Sequence, residues 1–179
     1  MYLCLNTATL CIGCREEIKE EKCYSMPQYN PNVFIPNHQI SVSMINGQGD
    51  TVCELYQINP HHRDGSPQKS QWTINKREEV EVFGWSMSIN SISDDYYWGV
   101  FWDGVLCNPL GVTPHRLNSK IARFECTAQP RVWHGYPVDY VNDPQHDCPG
   151  YDVLKKWAGL GIITKPQIAK LIGGQGWKG

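Results

Sequence analysis

Alternating apolar and polar residues run through the middle of this chain and predict a β-sheet. The segment HQISVSMI alternates, NGQGD supplies residues that are favoured in tight turns, and TVCELYQI alternates again. A period of two places one face of each strand on a core and the other toward solvent. We therefore predict a β-hairpin over residues 38–58.

Further segments of the same kind follow the hairpin. In EEVEVFGWSMSI the alternation is imperfect, and the slip near Gly84 indicates a bulged strand. YYWGVFWDGV, KIARFECTA and RVWHGYPVDY predict additional strands. Because no long helical pattern separates them, the pattern favours a mainly antiparallel sheet that forms a barrel or a sandwich.

The periodicity becomes helical toward the C-terminus. In YDVLKKWAGLG, Leu154 and Trp157 share one helical face, and the glycines end that helix. In ITKPQIAKLIGG, Thr164 and Gln167 have the spacing of a capping box. We predict a helical hairpin over 150–174.

The chain divides into three parts by pattern. Residues 1–26 form a cysteine-rich segment, 27–140 form the antiparallel β body, and 150–174 form the helical hairpin. A chain of 179 residues is long enough for one domain with a substantial core. The predicted fold class is α+β.

The net charge and the hydropathy of the chain argue against several classes of function. The formal net charge of -2 gives no general attraction to nucleic acid or to anionic lipid. No run approaches the roughly 18 apolar residues that span a bilayer, and the N-terminal segment lacks the basic start and cleavage site of a signal peptide. We expect a soluble cytoplasmic protein without a membrane partner.

The eight cysteines are the unusual feature of the composition. Cys4, Cys11, Cys14 and Cys23 lie close together at the N-terminus, and CIGC has the two-residue spacing of a zinc-binding turn. Two interpretations remain open: one structural zinc ion bound by these thiolates, or reduced thiols without metal.

Cys14 also raises the hypothesis of a cysteine hydrolase. It precedes a predicted helix, whose N-terminal N–H groups lower a thiol pKa, and His134 is the candidate base. Glu16 and Glu17 oppose this interpretation, because their negative charges raise the pKa of the thiol.

A basic stretch before and within RVWHGYPVDY suggests a metal-independent ribonuclease. His134 is the candidate acid–base, with Lys120 and Arg123 on the phosphate. Asp139 orients His134 only if the chain turns between them, because strand alternation places them on opposite faces. The competing interpretation is that His134 and Tyr136 share one solvent-facing side of a strand.

The sequence GIITKPQIAKLIGG resembles the first part of bacterial helix-turn-helix DNA-binding domains. The resemblance covers about ten residues and implies a bacterial or phage origin. The following GGQGWKG does not have the sequence of a recognition helix, so we do not expect sequence-specific DNA binding. We interpret the helix pair as a packing or docking element.

The supply of aromatic residues favours binding over catalysis. Trp98, Trp102, Trp133 and Tyr136 are candidate anchors for an interface, although such residues serve a core equally well. We therefore predict a small binding protein that docks a partner protein. The alternatives are the ribonuclease, which keeps RNA as a candidate ligand, and the cysteine hydrolase. The histidines of HHRDG lie in a polar loop, where we expect them to be solvated.

Overall fold

The computed structural model describes residues 39–45, 49–127 and 131–177. Its strands are β1 Gln39–Ile45, β2 Thr51–Gln57, β3 Gln71–Trp72, β4 Ile92–Ser93, β5 Tyr96–Trp102, β6 Cys107–Asn108, β7 Gly111–Val112, β8 Asn118–Ser119, β9 Ile121–Cys126 and β10 Trp133–Pro137. Its helices are α1 Lys76–Ser88, α2 Pro144–Asp147, α3 Tyr151–Gly159 and α4 Lys165–Ile172, with a 3-10 turn at Pro60–His62. None of the described helices combines the length and the apolar character needed to cross a membrane.

The main sheet is open and mostly antiparallel. Its strand order is β1-β2-β10-β9-β5-β4, and β6 pairs with β5. Among the described strands, the one parallel contact joins β2 to β10 at Tyr56 and Trp133. The mixed α+β class and the mainly antiparallel sheet are confirmed. Closure into a barrel is wrong for the described residues, because β1 and β4 lie at opposite ends of the strand order.

The first strand pair agrees with the predicted hairpin. All seven residues of β1 pair with β2 in antiparallel register, from Gln39 opposite Gln57 to Ile45 opposite Thr51. Val42 and Met44 are buried, whereas Ser41 and Ser43 are exposed, as the alternation predicts.

The segment predicted as a bulged strand is instead helix α1. Asn75 and Glu78 form a capping box: the Glu78 N–H donates to Asn75 Oδ1 at 3.0 Å, and the Asn75 N–H donates to Glu78 Oε2 at 2.7 Å. Val80, Phe83 and Met87 are buried at spacings of three and four residues. The prediction failed because Val80 and Val82 also fit a period of two.

Helices cover both faces of the sheet. On one face α1 packs with Phe83 against Phe124 of β9, with ring centroids 5.2 Å apart. On the other, Trp98 and Ile121 belong to the same apolar cluster as Trp157 of α3. Neighbouring residues of a strand point to opposite faces, so β5 and β9 are buried on both sides.

The C-terminal helical hairpin lies where the pattern predicted it. The Thr164 N–H donates to Gln167 Oε1 at 2.6 Å, which completes the expected start of α4. Trp157 Nε1 donates to Ser91 Oγ at 3.0 Å, so α3 is tied to the body of the protein. Ile163 and Ile168 are both buried in the cluster that joins the hairpin to the sheet.

A buried ion pair holds the loop between β2 and α1 against the helix. Arg63 Nη2 and Nε donate to Glu79 Oε2 at 2.5 and 2.9 Å, and Tyr56 donates to Glu79 Oε1 at 2.6 Å. Arg63 Nη1 also donates to the Ile74 carbonyl at 2.9 Å. Burial raises the pKa of Glu79, while the bonds from Tyr56 and Arg63 act in the opposite direction.

Replacement of Glu79 by alanine tests how far the fold depends on this pair. The variant leaves the largely buried Arg63 without its carboxylate, and we expect the free energy of unfolding to fall by about 3–5 kcal/mol. Urea denaturation measures the change. The matched control is Arg77→Ala, which removes an exposed ion pair to Glu81 and costs about 0.3–0.5 kcal/mol. Equal losses in the two variants contradict the prediction.

Candidate functional site

A cleft of about 350 Å³ opens where β2 and β10 diverge. The two strands pair at a single position, Tyr56 opposite Trp133. Beyond it, β2 leads into the 3-10 turn while β10 continues along β9. The residues that line the cleft are Gln57, Asn59, Pro60, His61, Thr127, Val132, Trp133 and His134.

The 3-10 turn forms one wall of the cleft. The His61 N–H donates to Asn59 Oδ1 at 3.0 Å, so Asn59 caps the turn, and Pro60 occupies its first position. The Arg63 N–H donates to the Pro60 carbonyl at 2.9 Å. The ion pair from Arg63 to Glu79 then fixes the turn on α1.

Among the described residues that line the cleft, polar and apolar groups are both present, and none is Lys, Arg, Asp or Glu. Gln57 and Asn59 carry amides, which both donate and accept hydrogen bonds. Asn59 Oδ1 already accepts from the His61 N–H, and the Thr127 hydroxyl bonds to the backbone of Val132. Val132 and Trp133 supply apolar surface. Such a cleft can take a neutral ligand that has both polar and apolar groups.

His62 lies beside the cleft in a defined tautomer. Its Nδ1 is 2.8 Å from the Ser70 carbonyl, which can only accept, so Nδ1 carries the hydrogen and Nε2 is left as the acceptor. The ring stacks on Tyr136 with centroids 5.1 Å apart and planes 17° apart. Burial lowers the pKa of His62, which favours the neutral imidazole.

His134 shares this side of the sheet. In the β9–β10 register His134 lies opposite Glu125 and Tyr136 lies opposite Arg123. Alternation along β10 places His134 and Tyr136 on one face, but both side chains are only partly exposed there and β10 lies between β2 and β9. The charge of His134 contributes to lowering the pKa of His62, so the two imidazoles interact electrostatically.

Arg123 lies on the same face of the sheet as His134, but its positive charge is already paired with carboxylates of the protein. Its Nε and Nη2 donate to Glu125 Oε1 at 3.1 and 2.7 Å, and Nη1 lies 3.5 Å from Asp147 Oδ1. The guanidinium sits between the rings of Tyr96 and Tyr136, 4.7 and 5.1 Å from their centroids. These contacts give Arg123 a structural role.

Tyr136 belongs to the same polar cluster. Its hydroxyl donates to Glu125 Oε1 at 2.6 Å. Burial, reinforced by this bond, raises the pKa of Tyr136 well above its ordinary value. The phenol is thus a fixed donor that orients Glu125.

The predicted phosphate-binding residues do not converge. Lys120 Nζ lies 5.5 Å from the centroid of the Trp177 ring, beside the C-terminal helices. Arg123 is near His134 but paired with carboxylates. The set of His134, Lys120 and Arg123 is therefore not assembled around one position.

The candidate interface tryptophans are mostly internal. Trp98 and Trp133 are each 2% exposed and belong to the core, while Trp102 is half-buried. Trp133 is also one of the residues that line the cleft. As folded, these indoles offer little surface to a partner, because the core already covers them.

Asp139 binds His115, not His134. His115 Nδ1 is 2.6 Å from Asp139 Oδ2, and Asn142 Nδ2 donates to Asp139 Oδ1 at 2.8 Å. Burial raises the pKa of Asp139, but the bonds from His115 and Asn142 outweigh it and the pKa lies below its ordinary value. This carboxylate therefore stabilises the loops around it and does not orient His134.

Replacement of Asp139 by asparagine tests this role through its pH dependence. A depressed carboxyl pKa contributes stability above the ordinary value near 3.8, and this contribution is lost as the pH falls through the folded-state pKa. We expect the variant to lose about 1–3 kcal/mol at pH 7 and the difference from wild type to shrink at about pH 3. Urea denaturation at both pH values measures it.

The control for Asp139 is the exposed Asp152 on α3. Asp152→Asn changes the charge equally and is expected to alter stability by no more than about 0.5 kcal/mol. A loss in Asp139→Asn that stays the same at both pH values is the contrary result.

The predicted metal and thiol sites lie outside the described residues. Cys4, Cys11, Cys14 and Cys23 all precede residue 39. In the described ranges, no group of three or more His, Cys, Asp or Glu side chains is arranged to hold a metal ion. The structural zinc and the Cys14 hydrolase stay predictions.

The sequence patterns did not predict the wall of the cleft that the 3-10 turn forms. The sequence patterns place Gln57 at the end of a strand. They place Asn59, His61 and His62 in a solvated loop. The pair Asn59-Pro60 is a recognisable start of a turn. Nothing in the local pattern indicates that this turn folds back beside β10, because an ion pair to Glu79 fixes it.

Comparison with protein-family models, with curated proteins and with solved structures gives no match for this chain. The function is therefore inferred from the residues of the cleft themselves.

Proposed function

We propose that this chain is a binding protein that docks a partner protein, and that a segment of the partner enters the cleft between the 3-10 turn and β10. The observation that carries the proposal is the lining: neutral hydrogen-bonding side chains around an apolar floor. A volume of about 350 Å³ is in the range of ligand clefts, roughly 300–1,000 Å³.

The lining is complementary to a peptide segment. Each peptide group presents one N–H and one carbonyl, and Gln57 and Asn59 carry amides that can pair with both. Val132 and Trp133 leave only a small apolar floor, because these side chains are 4% and 2% exposed. Among the described residues, the lining has no Lys, Arg, Asp or Glu side chain, which favours such a neutral segment over a polyanion.

Site-specific photo-crosslinking tests the proposal. A benzoyl-phenylalanine at His61, which is exposed at the cleft, is expected to give a covalent adduct with a single protein in the source organism. The matched control carries the same group at Tyr151, which is 62% exposed on α3. Adducts of equal yield from both positions, or none from His61, contradict the proposal.

The partner's affinity provides the second measurement. With the crosslinked partner purified, Gln57→Ala should raise Kd by about 5- to 150-fold, since an unpaired buried peptide group costs about 1–3 kcal/mol. Lys155→Ala on α3 is the control and should leave Kd unchanged. Titration calorimetry measures both.

A metal-independent ribonuclease is the second candidate, and the location of His62 on Tyr136, on the same side of the sheet as His134, favours it. His62 Nε2 would remove the proton from a ribose 2′-hydroxyl as the 2′-oxygen bonds to phosphorus. The bond from phosphorus to the 5′-oxygen breaks, and protonated His134 donates a proton to that oxygen. The products are a 2′,3′-cyclic phosphate and a 5′-hydroxyl. This candidate comes second because no Lys or Arg is present among the described lining residues and Arg123 is paired with Glu125.

Incubation of single-stranded RNA with the protein in EDTA tests the ribonuclease. If it is correct, His62→Ala and His134→Ala each lower the cleavage rate by about 10²–10⁴-fold. His146→Ala, an exposed histidine paired with Asp143 on α2, serves as the control with an unchanged rate. Absence of cleavage by the wild-type protein removes this candidate.

A further inference from the structure

Among the described residues, the outer edge of β1 carries no protective feature. On its inner side β1 pairs with β2 along its whole length, in a regular register without a bulge. Within the described residues, no strand pairs with the other side. Edge strands are usually blunted by charged residues, proline or bulges, and QISVSMI has no charge and no proline.

The sequence of this edge is complementary to itself in the antiparallel sense. If two copies of β1 align about Val42, Ile40 lies opposite Met44 and Ser41 lies opposite Ser43. Val42 and Met44 face the core side, whereas Ser41 and Ser43 face solvent. At the central positions apolar residues meet apolar residues and hydroxyls meet hydroxyls, while the end pair sets Gln39 opposite Ile45. No like charges are opposed.

We infer that β1 pairs with β1 of a second copy, so that one sheet continues through a homodimer. A two-fold axis at Val42 makes the contact isologous, and a self-complementary strand is what such a contact requires. Main-chain hydrogen bonds between the strands give the affinity. The small net charge of -2 per chain adds little repulsion between copies. This inference does not depend on the cleft.

Sedimentation of the full chain tests the dimer. We expect the wild-type protein to form a dimer at tens of micromolar. The double variant Ser41→Lys with Ser43→Lys brings lysine opposite lysine at both outward positions, so we expect a monomer. The double variant Ser41→Glu with Ser43→Glu should also be a monomer. An equimolar mixture of the two should form a heterodimer, because each lysine then meets a glutamate.

The mixture distinguishes variants that have lost only the contact between β1 strands from variants that have lost their fold, because misfolded chains cannot form a dimer again. The control is Tyr151→Lys with Ile172→Lys, which adds the same charge at exposed positions of α3 and α4 and should leave the dimer intact. A monomeric wild-type protein overturns the inference, whether another protein or another part of the chain occupies the edge. So does a dimer of the double lysine variant, or a mixture that stays monomeric. The adduct at His61 is scored separately, so each proposal can fail alone.

Discussion

The buried contact between Arg63 and Glu79 is the interaction on which the candidate site depends. Glu79 is fully buried on α1, and its carboxylate binds Arg63 from the loop and Tyr56 from β2. Three separate elements therefore meet at one carboxylate. Transfer of a charge into a core is costly, and an ion pair mainly offsets that cost. The pair therefore acts chiefly by specifying where the loop sits, and the loop forms one wall of the cleft.

Local pattern was enough to predict elements whose burial is one-sided. The hairpin of β1 and β2 alternates because one face rests on α1, and the helices α3 and α4 show a single apolar stripe. The helix α1 was missed, because buried Glu79 and Ser86 interrupt its apolar face. Its start at Asn75 was nevertheless readable, since Asn followed by Glu three residues later is a capping signal.

The candidate site was predictable only in part, for a physical reason. The common face of His134 and Tyr136 follows from strand alternation, which is a local property. The position of His62 follows from contacts to Ser70 and to Tyr136 across the fold. The spacing of apolar residues along the chain does not predict such contacts. Lys120 and Arg123 are three residues apart on an extended segment, so alternation itself separates them, and the structure adds carboxylates around Arg123.

The charges near β10 form a network that is satisfied within the protein. Asp139 accepts from His115, and its own N–H donates to Asp147 Oδ2 at 2.8 Å. Asp147 in turn lies beside Arg123, which is paired with Glu125. A network closed in this way holds loops and strands together but has little charge left for a ligand. The amide of Gln57 in the cleft lies outside this network, and for this reason we propose recognition of a neutral segment ahead of phosphate chemistry.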